Sequence, residues 1–132
     1  MDMDPAARFL VVDDFAPIRE IVRTVLEDLG YRNIHEASDG ASALQMLRSM
    51  PFDLLITDWT MPKMPGIELL KAVRGDPALA RLPVLMVTAE VKREQIVEAT
   101  YAGVNGYIIK PFTRQALTDK VNRILYGNLP ST

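Results

Sequence analysis

Apolar runs and amphipathic stretches alternate strictly along this chain, and that alternation limits the fold more than any other feature of the sequence. The runs "RFLVV" (8–12), "NIHEA" (33–37), "FDLLITD" (52–58), "PVLMVT" (83–88) and "NGYIIK" (105–110) read as strands, the second of them weakly. Helices are predicted over 15–29, 39–50, 66–75, 91–103 and 113–127. In the first, Ile18, Ile21, Val22, Val25, Leu26 and Leu29 recur at helical spacing. Pro17 sits in its first turn, where a missing N–H costs nothing, and Gly30 follows as a cap. Gly75 ends the third helix, and Thr113 is placed to cap the last one. The fourth, "VKREQIVEATYAG", has an unusually polar surface. Strands and helices in such series imply right-handed crossovers and a parallel sheet covered on both faces. The unbroken apolar strings "LLI" and "VLMV" agree, because a central parallel strand is buried on both sides.

The 132 residues suit one domain over 1–132, with a core of about 7–127 and frayed ends at 1–6 and 129–132. No internal repeat or linker interrupts it. A balance of 15 Lys+Arg against 17 Asp+Glu gives a net charge of −2, which supports neither nucleic-acid nor anionic-membrane binding. Cysteine is absent, so thiolate metal sites and cysteine nucleophiles are excluded. The lone histidine, His35, excludes a multi-histidine metal site within one chain and reads as a surface residue of the second strand. No apolar run approaches the roughly 18 residues of a membrane span, and "MDMDPAAR" lacks the apolar core of a secretory signal. A cytoplasmic protein is the expectation.

Ligands of an open parallel sheet bind beyond the carboxyl ends of its strands. At those ends stand Asp13-Asp14, Asp58, Thr88 and Lys110; the second strand ends in "EAS", with nothing reactive. Taken singly, each has a plain structural reading: an N-cap pair, a turn residue, a strand-end hydroxyl, a solvated lysine. Together they put three carboxylates at one edge, which repel unless a cation or a proton intervenes. Oxygen-only ligands favour a hard ion such as Mg²⁺. A cation, an ammonium and a hydroxyl around a carboxylate suit the binding and transfer of a phosphoryl group.

The segments "FLVVDD" (9–14), "DWTMP" (58–62), "LPVLMVTAE" (82–90) and "GYIIKPFT" (106–113) resemble a response-regulator receiver domain over nearly the whole chain. Trp59, "VTAE" and "KPFT" resemble its chemotaxis branch. The resemblance implies a flavodoxin-like α/β fold with five parallel strands in the order 2-1-3-4-5, and leaves no room for an output domain. It implies that Asp58 is the phosphoacceptor. Mg²⁺ would be held directly by Asp14, Asp58 and the backbone carbonyl of Thr60, and by Asp13 through water. Thr88 and Lys110 would bind the phosphoryl oxygens, and Ala89 is small so that the group and its donor can enter. The Lys110–Pro111 bond is expected to be cis. Tyr107 would be the switch aromatic, turning inward as Thr88 moves, and Trp59 would pack near the site. The face formed by the fourth helix, fifth strand and fifth helix, with Val91, Arg93, Ile96, Val104, Tyr107, Phe112 and Lys120, would dock a segment of the flagellar motor switch protein. The implied partners are a chemotaxis histidine kinase, the motor switch and a dedicated phosphatase. A monomer is expected, and no enzyme beyond self-phosphorylation from small donors and self-dephosphorylation.

Two positions depart from the pattern. Thr60 stands where chemotaxis regulators commonly carry asparagine, and Pro65 where an acidic or polar residue is frequent. Thr60, with Glu90 at the mouth of the site, is thus a candidate for tuning the lifetime of the phosphorylated state and the use of a phosphatase. The alternative function is a receiver that drains phosphoryl groups or serves another pathway. A flavodoxin-like electron carrier is disfavoured, since "DDFAP" would repel a flavin phosphate. An aspartyl-nucleophile phosphatase would want an acid at position 60.

Overall fold

The computed structural model describes residues 4–127. The chain runs β1 (Arg8–Val12), α1 (Ala16–Asp28), β2 (Asn33–Ala37), α2 (Gly40–Ser49), β3 (Leu54–Thr57), α3 (Gly66–Gly75), β4 (Val84–Thr88), α4 (Arg93–Ala102), β5 (Gly106–Ile109) and α5 (Arg114–Tyr126). The strands form one parallel sheet in the order β2-β1-β3-β4-β5, as expected.

Side chains of each strand alternate between two cores. Leu10, Val12, Leu55, Val84 and Met86 face α2, α3 and α4, where they meet Leu44, Leu69, Leu70 and Ala99. Phe9, Val11, Leu54, Ile56, Leu85 and Val87 face α1 and α5, where they meet Val22, Leu26, Leu117 and Val121. All four residues of β3 and all five of β4 are buried, which explains their unbroken apolar character.

The ends of the elements differ from the sequence-based limits in ways that bear on the site. β3 is shorter than 52–58, so Asp58 lies just past the strand rather than within it. α4 starts at Arg93, which leaves Val91 and Lys92 in the loop that follows β4. Gly75 is the last helical residue of α3 and Asp76 is its cap. Two cap predictions hold: Gly30 takes φ +101° after α1, and Thr113 accepts a hydrogen bond from the Ala116 N–H.

The frayed N-terminus is corrected in part. Asp4 N–H donates to the Tyr126 hydroxyl at 3.3 Å, Ala7 N–H donates to Asp4 O at 3.0 Å, and Tyr126 meets the buried Tyr31 hydroxyl at 2.9 Å. Residues 4–6 are therefore tied to α5; residues 1–3 and 129–132 lie outside the described residues. His35 lies on the edge strand β2 and is partly exposed, with its ring meeting the edge of the Phe52 ring, centroids 5.5 Å apart.

Candidate functional site

The sheet register builds the site. Val12 is level with Thr57, so the next residues, Asp13 and Asp58, emerge side by side. Asp13 N–H donates to Ala37 O at 3.2 Å and Asp58 N–H to Val12 O at 3.0 Å, continuing the ladder to the point where the carboxylates leave it. Thr88 is level with Ile109, so Lys110 follows one position beyond and reaches back across the edge.

Lys110 Nζ donates to Asp13 Oδ2 at 2.8 Å and to Asp58 Oδ2 at 3.1 Å. Both carboxylates are buried, and the lysine is largely so. Burial pulls the Lys110 ammonium downward, but its hydrogen bonds to Asp13 and Asp58 outweigh that and hold it above its ordinary value. It is charged throughout the physiological range. The other oxygen of each acid takes a backbone donor: Asp13 Oδ1 accepts from Phe15 N–H at 2.9 Å, and Asp58 Oδ1 from Trp59 N–H at 2.6 Å. Asp14 is exposed and makes no ion pair with a described residue. Oxygens of Asp13, Asp14 and Asp58 converge within 4.8 Å of one another. An all-carboxylate set of that compactness fits a hard divalent cation.

Thr88 is buried at the far wall. Its Oγ1 accepts from Glu90 N–H at 3.3 Å, and among the described residues its hydroxyl proton goes to no acceptor. Ala89 beside it is exposed, so the approach to Asp58 is open there. The Lys110–Pro111 peptide is cis, as expected. Trp59 is buried, next in the chain to Asp58, and packs in the core under α2 and α3. The loop after β3 passes close over the Asp58 backbone: Gly66 N–H donates to Trp59 O at 2.7 Å, and a Cβ at Gly66 would lie 1.9 Å from Asp58 O. Only glycine fits there.

The rim residues are placed as follows. Thr60 is exposed, and its hydroxyl donates to Glu90 Oε2 at 3.4 Å. Tyr107 is half-buried, and its hydroxyl donates to Glu90 O at 2.9 Å. Burial and the nearby Glu90 and Asp58 carboxylates raise its phenol. On the proposed docking face, Val91 and Arg93 stand in solvent, while Ile96 and Lys120 are half-covered. Val104 and Phe112 lean into the two cores, one on each side of the sheet, so they present less surface than their sequence positions suggest.

Sequence reasoning missed four residues, Glu36, Arg19, Arg23 and Gln95. Glu36 stands at the end of β2, where nothing reactive was expected. It accepts from Arg19 Nε at 2.9 Å and Arg23 Nε at 2.8 Å. Burial raises its carboxyl, but hydrogen bonds from Arg23 and Arg19 outweigh that and hold it below its ordinary range. Arg19 Nη1 also donates to Asp13 O at 2.6 Å, which pins the backbone of the acid pair. The spacing of Arg19 and Arg23, one helical turn apart, was the available signal. Gln95, the fourth, donates from Nε2 to Glu90 Oε1 at 2.7 Å.

Comparison with known proteins matches this geometry to a family. Residues 9–122 match the response regulator receiver domain. The chain is 58% identical over 117 residues to the chemotaxis protein CheY of Pseudomonas aeruginosa, covering 89% of this chain and 94% of that one. It is 56% identical over 117 residues to CheY-3 of Vibrio cholerae, covering 89% and 90%. The chemotaxis response regulator CheY4 of Vibrio cholerae superposes with a TM-score of 0.84 at 38% identity, over 91% of this chain and 99% of that one. The receiver domain of the sensor histidine kinase PA1611 of Pseudomonas aeruginosa, solved with a magnesium ion coordinated in its active-site cleft, superposes with a TM-score of 0.82 at 25% identity, over 91% and 98%. With the strand order, the paired acids and these relatives in agreement, the chain belongs to the response regulator receiver domains and is a signalling protein of the CheY-like chemotaxis kind.

Proposed function

We propose that this receiver accepts a phosphoryl group on Asp58 from a chemotaxis histidine kinase and thereby switches its α4-β5-α5 face to bind the flagellar motor switch protein. One observation carries the reading: Lys110 Nζ bridges Asp13 and Asp58 at the strand ends where the buried Thr88 hydroxyl keeps a proton with no acceptor among the described residues.

An Asp58 carboxylate oxygen attacks phosphorus, the P–N bond to the donor histidine breaks, and the imidazole leaves with the electron pair and takes up a proton. Asp14, Asp58 and the Thr60 carbonyl would hold Mg²⁺, with Asp13 through water. The ion supplies charge neutralisation for the transferring oxygens. Lys110 moves its donors from carboxylate to phosphoryl oxygen, an exchange rather than a new bond. Thr88 contributes a new one. A charge-assisted hydrogen bond is worth about 1.5–3 kcal/mol, which shifts a two-state equilibrium by roughly ten- to a hundredfold. Thr88 is therefore the detector, and Tyr107 follows it because both lean on Glu90. Reversal needs a water: its oxygen attacks phosphorus, the Asp58 carboxylate leaves with the electron pair, and phosphate departs. Thr60 and Glu90 stand over that path and set its rate, with or without a dedicated phosphatase.

The test follows Trp59 fluorescence during titration with beryllofluoride and Mg²⁺, beside Asp58→Asn. We expect a Mg²⁺-dependent change in the wild type and none in the variant, together with an acyl phosphate by mass after acetyl phosphate treatment. Absence of both signals in the wild type overturns the acceptor role. Binding of a motor-switch peptide that does not tighten on activation leaves the acceptor role and replaces the motor role with that of a phosphoryl drain.

A further inference from the structure

Helix α4 has no side-chain cap. Its cap residue, Lys92, makes no side-chain capping bond; only its backbone carbonyl serves the first turn, accepting from the Gln95 and Ile96 N–H groups at 3.1 Å each. In place of a cap, the third residue of the helix reaches back. Gln95 Nε2 donates to Glu90 Oε1 at 2.7 Å. The other Glu90 oxygen accepts from the Thr60 hydroxyl at 3.4 Å. The backbone of the same residue serves Thr88 and Tyr107. One side chain on α4 thus holds the residue on which the detector, the aromatic switch and the rim of the acceptor all converge.

The other half of the Gln95 amide sharpens the point. Its Oε1 is buried and has no partner among the described residues. Rotating the amide does not help, because it would set Oε1 against the Glu90 carboxylate and strand the N–H₂ group instead. A buried acceptor left unmade is a standing penalty. The same amide offsets that penalty with its bond to Glu90.

We infer that Gln95 is a positioning residue for the phosphoryl chemistry: it holds the Glu90 carboxylate over Thr60 and thereby limits access of water to Asp58. This rests on the acceptor role proposed for Asp58. Among the described residues the Gln95 side chain hydrogen-bonds to Glu90 alone, so its effect would pass through Glu90.

The measurement is the lifetime of the aspartyl phosphate after loading with acetyl phosphate and Mg²⁺ and removal of the donor, in the full chain. Gln95→Met keeps the bulk of the side chain and removes both the donor and the orphan acceptor. We expect loss of the phosphoryl group about threefold faster than in the wild type, the scale of one hydrogen bond. Gln95→Lys keeps a donor of similar reach and should retain a lifetime at least as long as the wild type. In a Glu90→Ala background, Gln95→Met should change the lifetime less than about 1.5-fold, since the two residues act as one unit. Mg²⁺ affinity, read by Trp59 fluorescence, should not move in any Gln95 variant. Independent, multiplying effects of Gln95→Met and Glu90→Ala overturn the proposal. So does an unchanged lifetime in a folded Gln95→Met protein. If the wild type forms no aspartyl phosphate at all, the acceptor reading itself fails, and that result is distinct from either of these.

Discussion

Helix α1 is bolted to the sheet, whereas helix α4 rests on it. α1 buries Val22, Val25 and Leu26. It also sends Arg19 and Arg23 across to Glu36, the Ile34 carbonyl and the Asp13 carbonyl, all within 3 Å. α4 buries Ala99 alone, and Val91, Val97 and Tyr101 at or near it stand exposed. Its links to neighbours are a solvent-exposed Lys71–Glu98 pair at 3.0 Å, the Arg74 grip on Gly103 O at its C-terminus, and Gln95 at its N-terminus. The two helices flank the same acid site from opposite ends of the sheet. One fixes the carboxylates; the other has the shallow burial of an element that moves. The proposed phosphoryl switch would need both, because charge would have to be held still at Asp58 for its arrival to be felt elsewhere.

The largest blow to this contrast falls on the fixed side. Leu26→Ala removes a side chain with no exposure from between α1 and the sheet. We expect a loss of about 2–5 kcal/mol in urea unfolding. A loss below about 1 kcal/mol, the range of a surface site, would mean that α1 is no better anchored than α4. Gly66→Ala comes next. Its new methyl would meet Asp58 O at 1.9 Å, which only a shift of the backbone after β3 relieves. A loss of about 1–3 kcal/mol is expected, with a weakened Mg²⁺ response of Trp59. Unchanged stability and response would show that the loop over Asp58 is as yielding as the α4 side.

These two residues also mark what the sequence made legible. Leu26 lies on an apolar stripe of period 3.6, and the order of strands follows from the alternation of elements with the family pattern. The acids were legible because a parallel sheet presents the ends of its strands along one edge, and register then makes Asp13 and Asp58 neighbours. Gly66 was legible only as the start of the third helix, since its closeness to Asp58 O depends on how the chain returns after Pro65. Glu36 was passed over for a related reason. A carboxylate at an edge strand looks idle until the packing angle of α1 brings two guanidinium groups onto it. Gln95 carried no signal at all. Its importance comes from one rotamer reaching back across a loop, and neither pattern nor propensity encodes that.

Glu36 gives a smaller and pH-dependent test of the anchored side. Its folded pKa lies below its ordinary 4.5, so the pairing with Arg19 and Arg23 stabilises above that pH and is lost as pH falls through the folded value. Glu36→Gln should lower stability by about 1 kcal/mol at neutral pH. The gap between variant and wild type should narrow below pH 4.5. A gap that stays constant down to acid unfolding would show that the arginines anchor α1 through the Ile34 and Asp13 carbonyls alone.

The smallest expected change belongs to α4. Tyr101 is 89% exposed, so its ring gives the folded state almost no burial. Tyr101→Ala should alter unfolding by no more than about 0.5 kcal/mol. Hydrogen exchange of the α4 amides should likewise stay faster than that of α1 in wild type and variant alike, because exchange from a lightly anchored helix proceeds by local opening. If Tyr101→Ala instead lowers stability by more than about 1 kcal/mol, the ring has a partner in solution, and α4 is braced from outside. The contrast between the two helices would then belong to the isolated chain. Dilution separates the cases: bracing by a second copy weakens as protein concentration falls, and an intrinsic property of the helix does not.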